Sequence, residues 1–148
     1  MLIASVAFAS GELTGDDDSI LEARLNEKGP NGLPWVYNGK SDSDPKTLLA
    51  DYVTNLGVKH LVQGHQPGKV EIDGIRREKY TFFQRYGLLF LIDSGMSRHI
   101  KGSDSNGGAL RIRNGENAII ICANGTKATL WDVSTNFDHQ TKHCTKNH

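Results

Sequence analysis

The side chains best placed for chemistry gather at the end of one short apolar run. Residues 58–63 read Val-Lys-His-Leu-Val-Gln, and the run stops at Gly64, followed by His65, Gln66 and Pro67. A buried strand holds its C-terminal end rigidly. Glycine then lets the backbone turn without a Cβ clash, and the next side chain is carried out over the edge of the sheet. An imidazole at such a place offers a neutral nitrogen to a metal, or acts as acid or base near neutral pH. A Gly-His pair after a strand also serves as a hydrogen-bonded turn, and the residue types leave both readings open. Asp93 stands in the same relation to a second apolar run, 88–92. It could orient His65 or cap the turn at Ser94-Gly95, the commoner use of Asp before Gly. Arg76, Arg77 and Lys79 could face a phosphorylated substrate, but they read first as the solvated face of a hairpin.

The elements that would position these residues follow from pattern. Asp44 as N-cap, Pro45 at the first helical position, an apolar stripe at Leu48, Leu49, Tyr52, Val53 and Leu56, and Gly57 as C-cap predict a helix leading straight into the 58–63 strand. A helix that ends in one glycine and feeds a buried strand is the unit of an α/β fold. Short strands are expected at 69–72, 80–84, 88–92, 109–113, 118–122 and 128–131, separated by Gly, Asn and Asp turns and joined as hairpins. The 88–92 run is continuous rather than alternating, so it should lie centrally, covered on both faces. Leu61, Val62, Leu89, Leu91 and Ile92 are expected as core residues of two neighbouring strands, with Leu48, Leu49, Tyr52 and Val53 packed on them. Upstream, residues 2–9 read as a strand. The aspartates 16–18 cap a helix that ends by Lys28, and 31–44 forms a long loop around Trp35 and Tyr37. From 134 onward there is no periodicity, and 134–148 reads as a disordered tail following a domain that spans 1–133. His139, His143, Cys144 and His148 would chelate a metal only if that tail were helical.

Composition limits the function classes. At 148 residues the chain fits one domain or part of one. Lys plus Arg equals Asp plus Glu at 17 each, so no net field draws it to nucleic acid or an anionic membrane. No stretch approaches the roughly 20 apolar residues of a membrane span. Cys122 and Cys144 have no metal-type spacing, and one possible pair is not a disulfide framework, so a reducing cytoplasm is the default compartment.

With these residues laid out, a family resemblance emerges over residues 33–113. The loop Leu33-Pro34-Trp35-Val36-Tyr37-Asn38-Gly39 is similar to the Trp-Tyr-Arg-Gly loop of calcineurin-like metallophosphoesterases, closest to the bacterial and Shewanella-like protein phosphatases. Leu61-Val62-Gln63-Gly64-His65-Gln66-Pro67 resembles that family's strand ending in Gly-His-Thr-Pro, whose histidine is a metal ligand. Leu89-Phe90-Leu91-Ile92-Asp93-Ser94-Gly95-Met96-Ser97 resembles its Ile-Asp-(Thr/Val)-Gly-Met-Ser strand end, and Gly107-Gly108-Ala109-Leu110-Arg111-Ile112 its closing Ala-Leu-Glu-Ile strand. The resemblance implies a mixed α/β fold, the C-terminal part of a metallophosphoesterase β-sandwich flanked by helices. It implies a pair of divalent metals (Mn, Fe, Zn or similar) about 3.5 to 4 Å apart, and a phosphorylated small molecule or phosphoprotein as substrate. His65 would be the metal ligand and a catalytic residue, Asn38 and Gln66 substrate contacts, and Arg98 a more distant catalytic candidate. The family's Gly-Asp-x-His-Gly, Gly-Asp-x-x-Asp-Arg-Gly, Gly-Asn-His-Glu and His-Gly-Gly motifs are absent, and Asn38 replaces its phosphate-binding arginine. One imidazole cannot hold two hard cations. The expectation is therefore a truncated phosphatase inactive by itself, against two alternatives. One is a non-catalytic α/β binding module of the same descent that uses the Trp35 loop. The other is an unrelated β-rich binding domain in which His65 is a turn residue.

Overall fold

A computed structural model describes residues 44–64, 68–72, 74–96, 107–135 and 137–145. Helix α1 (Pro45–Asn55) begins where the local chemistry requires. Asp44 has an extended backbone, and its carboxylate accepts from the amides of Lys46 at 3.0 Å and Thr47 at 3.1 Å, two donors that no helix carbonyl reaches. At the other end Leu56 is the C-cap, and Gly57 lies one residue beyond it with φ +66°. Gly57 N donates to Thr54 O and Val58 N to Val53 O, the paired bonds of a Schellman motif. Leu48, Leu49 and Val53 are buried and Tyr52 is half-buried.

The strands are β1 (Leu61–Gln63), β2 (Val70–Ile72), β3 (Ile75–Arg77), β4 (Phe82–Arg85), β5 (Leu89–Leu91), β6 (Gly108–Arg113), β7 (Asn117–Cys122), β8 (Lys127–Asp132) and β9 (His139–Lys142). They form a four-stranded sheet of order β1-β5-β4-β9, a β2-β3 hairpin and a three-stranded meander β6-β7-β8. The fold is mixed and mostly β, with one helix among the described residues, as an α/β reading allows. Strand β1 runs parallel to β5, while β4 is antiparallel to both β5 and β9.

The central sheet is covered on both faces by its own alternation. Leu89, Leu91 and Phe83 pack with Leu49 of α1 and with Val70 and Ile72 of β2. Phe82 and Phe90 pack with Ala118, Ile120, Leu130 and Trp131 of the meander. All three residues of β5 are buried between these clusters, which is why its sequence shows no alternation.

Three expectations are corrected. Val62 is 49 % exposed rather than core, because β1 is the outer strand of the sheet as described and Val62 alternates away from its half-buried neighbours Leu61 and Gln63. Leu61 and Ile92 are half-buried rather than fully core, Leu61 packed against the cluster of Leu89 and Leu91 and Ile92 against that of Phe82 and Phe90. The stretch expected as a disordered tail contains β9, paired with β4 over four residues, and Cys144 is bonded to Cys122. Strand β9 reads His-Gln-Thr-Lys, and its order comes from the edge of β4, which no pattern within β9 reveals. The expected strand at 2–9, the helix ending at Lys28 and the Trp35 loop lie outside the described residues.

Candidate functional site

Parallel pairing of β1 and β5 sets the site's frame. Leu61 lies opposite Leu89 and Gln63 opposite Leu91, and Ile92 N donates to Gln63 O at 2.9 Å. Parallel strands in register finish together, so the chain leaves β1 at Gly64 and β5 at Asp93 on the same edge of the sheet. That edge, outside the carboxyl ends of parallel strands, is where open sheets carry ligands. His65 and Gln66 follow Gly64 in sequence. Both lie outside the described residues, as do Asn38 and Arg98, so the geometry at this edge is read from the residues that flank them.

Asp93 performs the turn-capping role. Its Oδ1 accepts from Gly95 N at 2.9 Å, closing an Asx turn in which Ser94 is buried. Gly95 is required at this point. Its φ is +65°, and a Cβ would lie 2.3 Å from the ring of Tyr80.

The residue misread from the sequence is Arg77. Arg76 is an exposed side chain in an ion pair with Glu78, and Lys79 is exposed, as a solvated hairpin face predicts. Arg77, its neighbour in β3, points the other way and is fully buried. Its Nε donates to Thr81 O at 2.9 Å, its Nη2 to Thr81 O at 2.7 Å and to Asp93 O, and its Nη1 to Gly68 O at 3.4 Å. Burial lowers its pKa to about 10, and the nearby Asp93 carboxylate opposes that shift, so the guanidinium stays charged at neutral pH. The signal in the sequence was the β period: Arg76 and Arg77 are adjacent and must face opposite sides of the strand.

A second histidine sits elsewhere. His60 Nδ1 lies 2.7 Å from Gly87 O, and because a carbonyl only accepts, Nδ1 carries the proton. Its ring stands edge-on to Phe90 and Trp131, and its Nε2 is buried with no hydrogen-bond partner. His60 precedes β1, whereas the candidate edge follows it. Among the described residues no three His, Cys, Asp or Glu side chains converge as a metal site. Cys144 of the expected tail cluster is committed to its disulfide. No described helix is long and apolar enough to cross a membrane. No family model matches the chain, and no curated protein or solved structure matches it either.

Proposed function

We infer that this chain is the C-terminal part of a metal-dependent phosphatase that hydrolyses phosphate monoesters, on a phosphorylated small molecule or a phosphoprotein. The observation that carries the reading is the parallel β1–β5 pair, which brings Gly64 and Asp93-Ser94-Gly95 to one sheet edge, with His65 the next residue in sequence after Gly64. The mixed, mostly β architecture is compatible with it. A pair of divalent metals supplies Lewis-acid polarisation of the phosphate and a hydroxide nucleophile in such enzymes. The described residues do not by themselves hold a metal pair, since no cluster of donors lies among them. The reading therefore takes His65 as one ligand and assigns the rest to chain beyond this sequence.

The test is hydrolysis of an aryl phosphate with added Mn²⁺. The 148-residue chain is expected to show little turnover, and a chain extended to include the missing acidic and histidine motifs is expected to be active. In that longer chain His65→Ala should lower turnover by orders of magnitude while the circular dichroism spectrum stays unchanged, because a strand-end ligand contributes little packing. Full activity of His65→Ala, or robust turnover by the 148-residue chain, would overturn the reading. A longer chain that is folded but inert would favour the non-catalytic binding module instead.

A further inference from the structure

The β6-β7-β8 meander spends one face on the core, where Ala118, Ile120 and Cys122 of β7 join the cluster of Phe82 and Phe90. Its other face follows from the register. Ile119 lies between Arg111 and Thr129, and Ile121 lies between Ala109 and Lys127. Arg113 ends β6 on the same face, opposite Asn117. Both isoleucines are half-buried, while Arg111, Arg113 and Lys127 are exposed. The solvated face of an antiparallel sheet ordinarily alternates to polar side chains. Here the middle strand turns two branched apolar side chains outward. Alternate residues on a strand lie about 7 Å apart and neighbouring strands about 5 Å. The apolar patch is therefore small, with two cations along one flank and a third on the other. Among the described residues none of the three has an ion-pair partner. The acid at the end of this face, Asp132, is already engaged: its carboxylate accepts from Asn117 Nδ2 at 2.8 Å and from Ser134 N at 2.8 Å.

We propose that this outer face is a docking surface for an acidic protein segment whose apolar side chains are flanked by carboxylates. The charge on the face selects the sign of the partner, and the isoleucines select its apolar part. A six-residue ladder on each strand pair gives the surface a rigid floor, so the cations are held at fixed spacing before anything binds. Nucleic acid fits less well, because the face presents no aromatic ring on which a base could stack. The chain's 17 acidic and 17 basic residues also leave no wider field for a polyanion or an anionic membrane. The surface rests on the meander alone and is independent of the phosphatase reading.

Fluorescence anisotropy of the 148-residue chain with a labelled peptide, Glu-Leu-Glu-Gly-Glu-Leu-Glu, tests it. Binding should saturate and weaken several-fold between about 50 mM and about 300 mM salt. Arg111→Gln/Arg113→Gln should weaken it roughly tenfold or more with an unchanged circular dichroism spectrum, since both side chains are exposed. Replacing the leucines of the peptide by serine should weaken binding roughly fivefold or more, and Ile119→Thr, which keeps a β-branched residue in the strand, should do the same to the leucine peptide. Arg76→Gln/Lys79→Gln, an equal loss of charge at the β2-β3 hairpin, should leave the affinity unchanged. No saturable binding would overturn the proposal, as would an equal loss in the two double variants or indifference to the leucines. Tighter binding of a single-stranded oligonucleotide or of phosphatidylserine vesicles, lost in Arg111→Gln/Arg113→Gln, would overturn it in favour of those partners.

Discussion

At the scale of single residues, the turn after β5 depends on three residues with different tasks. Asp93 holds the turn through its bond to Gly95 N, Arg77 holds the Asp93 carbonyl, and Gly95 leaves the space that the Tyr80 ring fills. Tyr80 itself has φ 62°, so two left-handed residues meet at this point and one of them carries a large ring. Gly95→Ala should be costly for two independent reasons. A left-handed alanine costs about 1–2 kcal/mol, and a methyl group at 2.3 Å from the ring forces Tyr80 to move, which adds about 1–3 kcal/mol of overpacking strain. Gly125→Ala is the matched control, because its φ is also positive, at +84°, and nothing lies within 4 Å of the added Cβ. Chemical denaturation should show Gly95→Ala losing clearly more stability than Gly125→Ala. Equal losses would mean that the Tyr80 contact does not shape the turn.

At the scale of elements, α1 was legible because its signals are local: the Asp-Pro start, the apolar stripe and the glycine end all act within one turn of the helix. The strands β6, β7 and β8 were legible for a similar reason. Their alternation survives in the structure, as in β7, where Ala118, Ile120 and Cys122 are buried while Asn117, Ile119 and Ile121 are half-buried. Strand β9 was not legible, because it is decided by a partner distant in sequence, the edge of β4; for Arg77 the β period showed that it and Arg76 face opposite sides, but not which of the two is buried. The pairing of β1 with β5 was expected from their apolar runs, but that Val62 would be exposed followed only from the strand order. The helix cap yields a pH prediction. Asp44 has a pKa below its ordinary value of 3.8, chiefly through the Thr47 hydroxyl and then the Thr47 amide. A group whose folded pKa is depressed stabilises the fold fully above its unfolded pKa, and loses that contribution as pH falls through the folded value. Amide exchange in the first turn of α1 should therefore accelerate, relative to the intrinsic rate, as pH drops below about 4. Asp44→Asn, which keeps a capping oxygen but does not ionise, should remove that pH dependence.

At the scale of the whole molecule, the described residues form layers held by two apolar clusters and one covalent tie. The Cys122–Cys144 bond joins the end of β7, in the meander, to the chain just past β9, on the outer edge of the central sheet. The two Cα atoms are 5.4 Å apart, an ordinary separation for a disulfide. Its surroundings are built around it: both cysteines are buried in the cluster of Phe82, Phe90 and Trp131, and a Cβ on Gly108 would come within 3.1 Å of Cys144 Sγ. This pairing runs against the expectation of a reducing cytoplasm, since disulfides persist in oxidising compartments. It also explains how a short polar strand such as β9 stays in register. The bond closes a loop across a sequence separation of 22 residues, and restricting the unfolded chain in that way stabilises the native state by about 3 kcal/mol. Reduction, or the Cys122→Ser/Cys144→Ser double variant, should then lower Tm by an amount on the order of 10 °C. The effect should also have a place: amides of β9 and of the β4 edge it covers should lose protection first, with the β6-β7 hairpin affected least, because its own ladder of six residue pairs does not need the bond. Thermal unfolding with and without reductant, paired with exchange on the two forms, reads both quantities. A reduced protein with unchanged Tm and a fully protected β9 would show that the edge of β4 alone holds the strand.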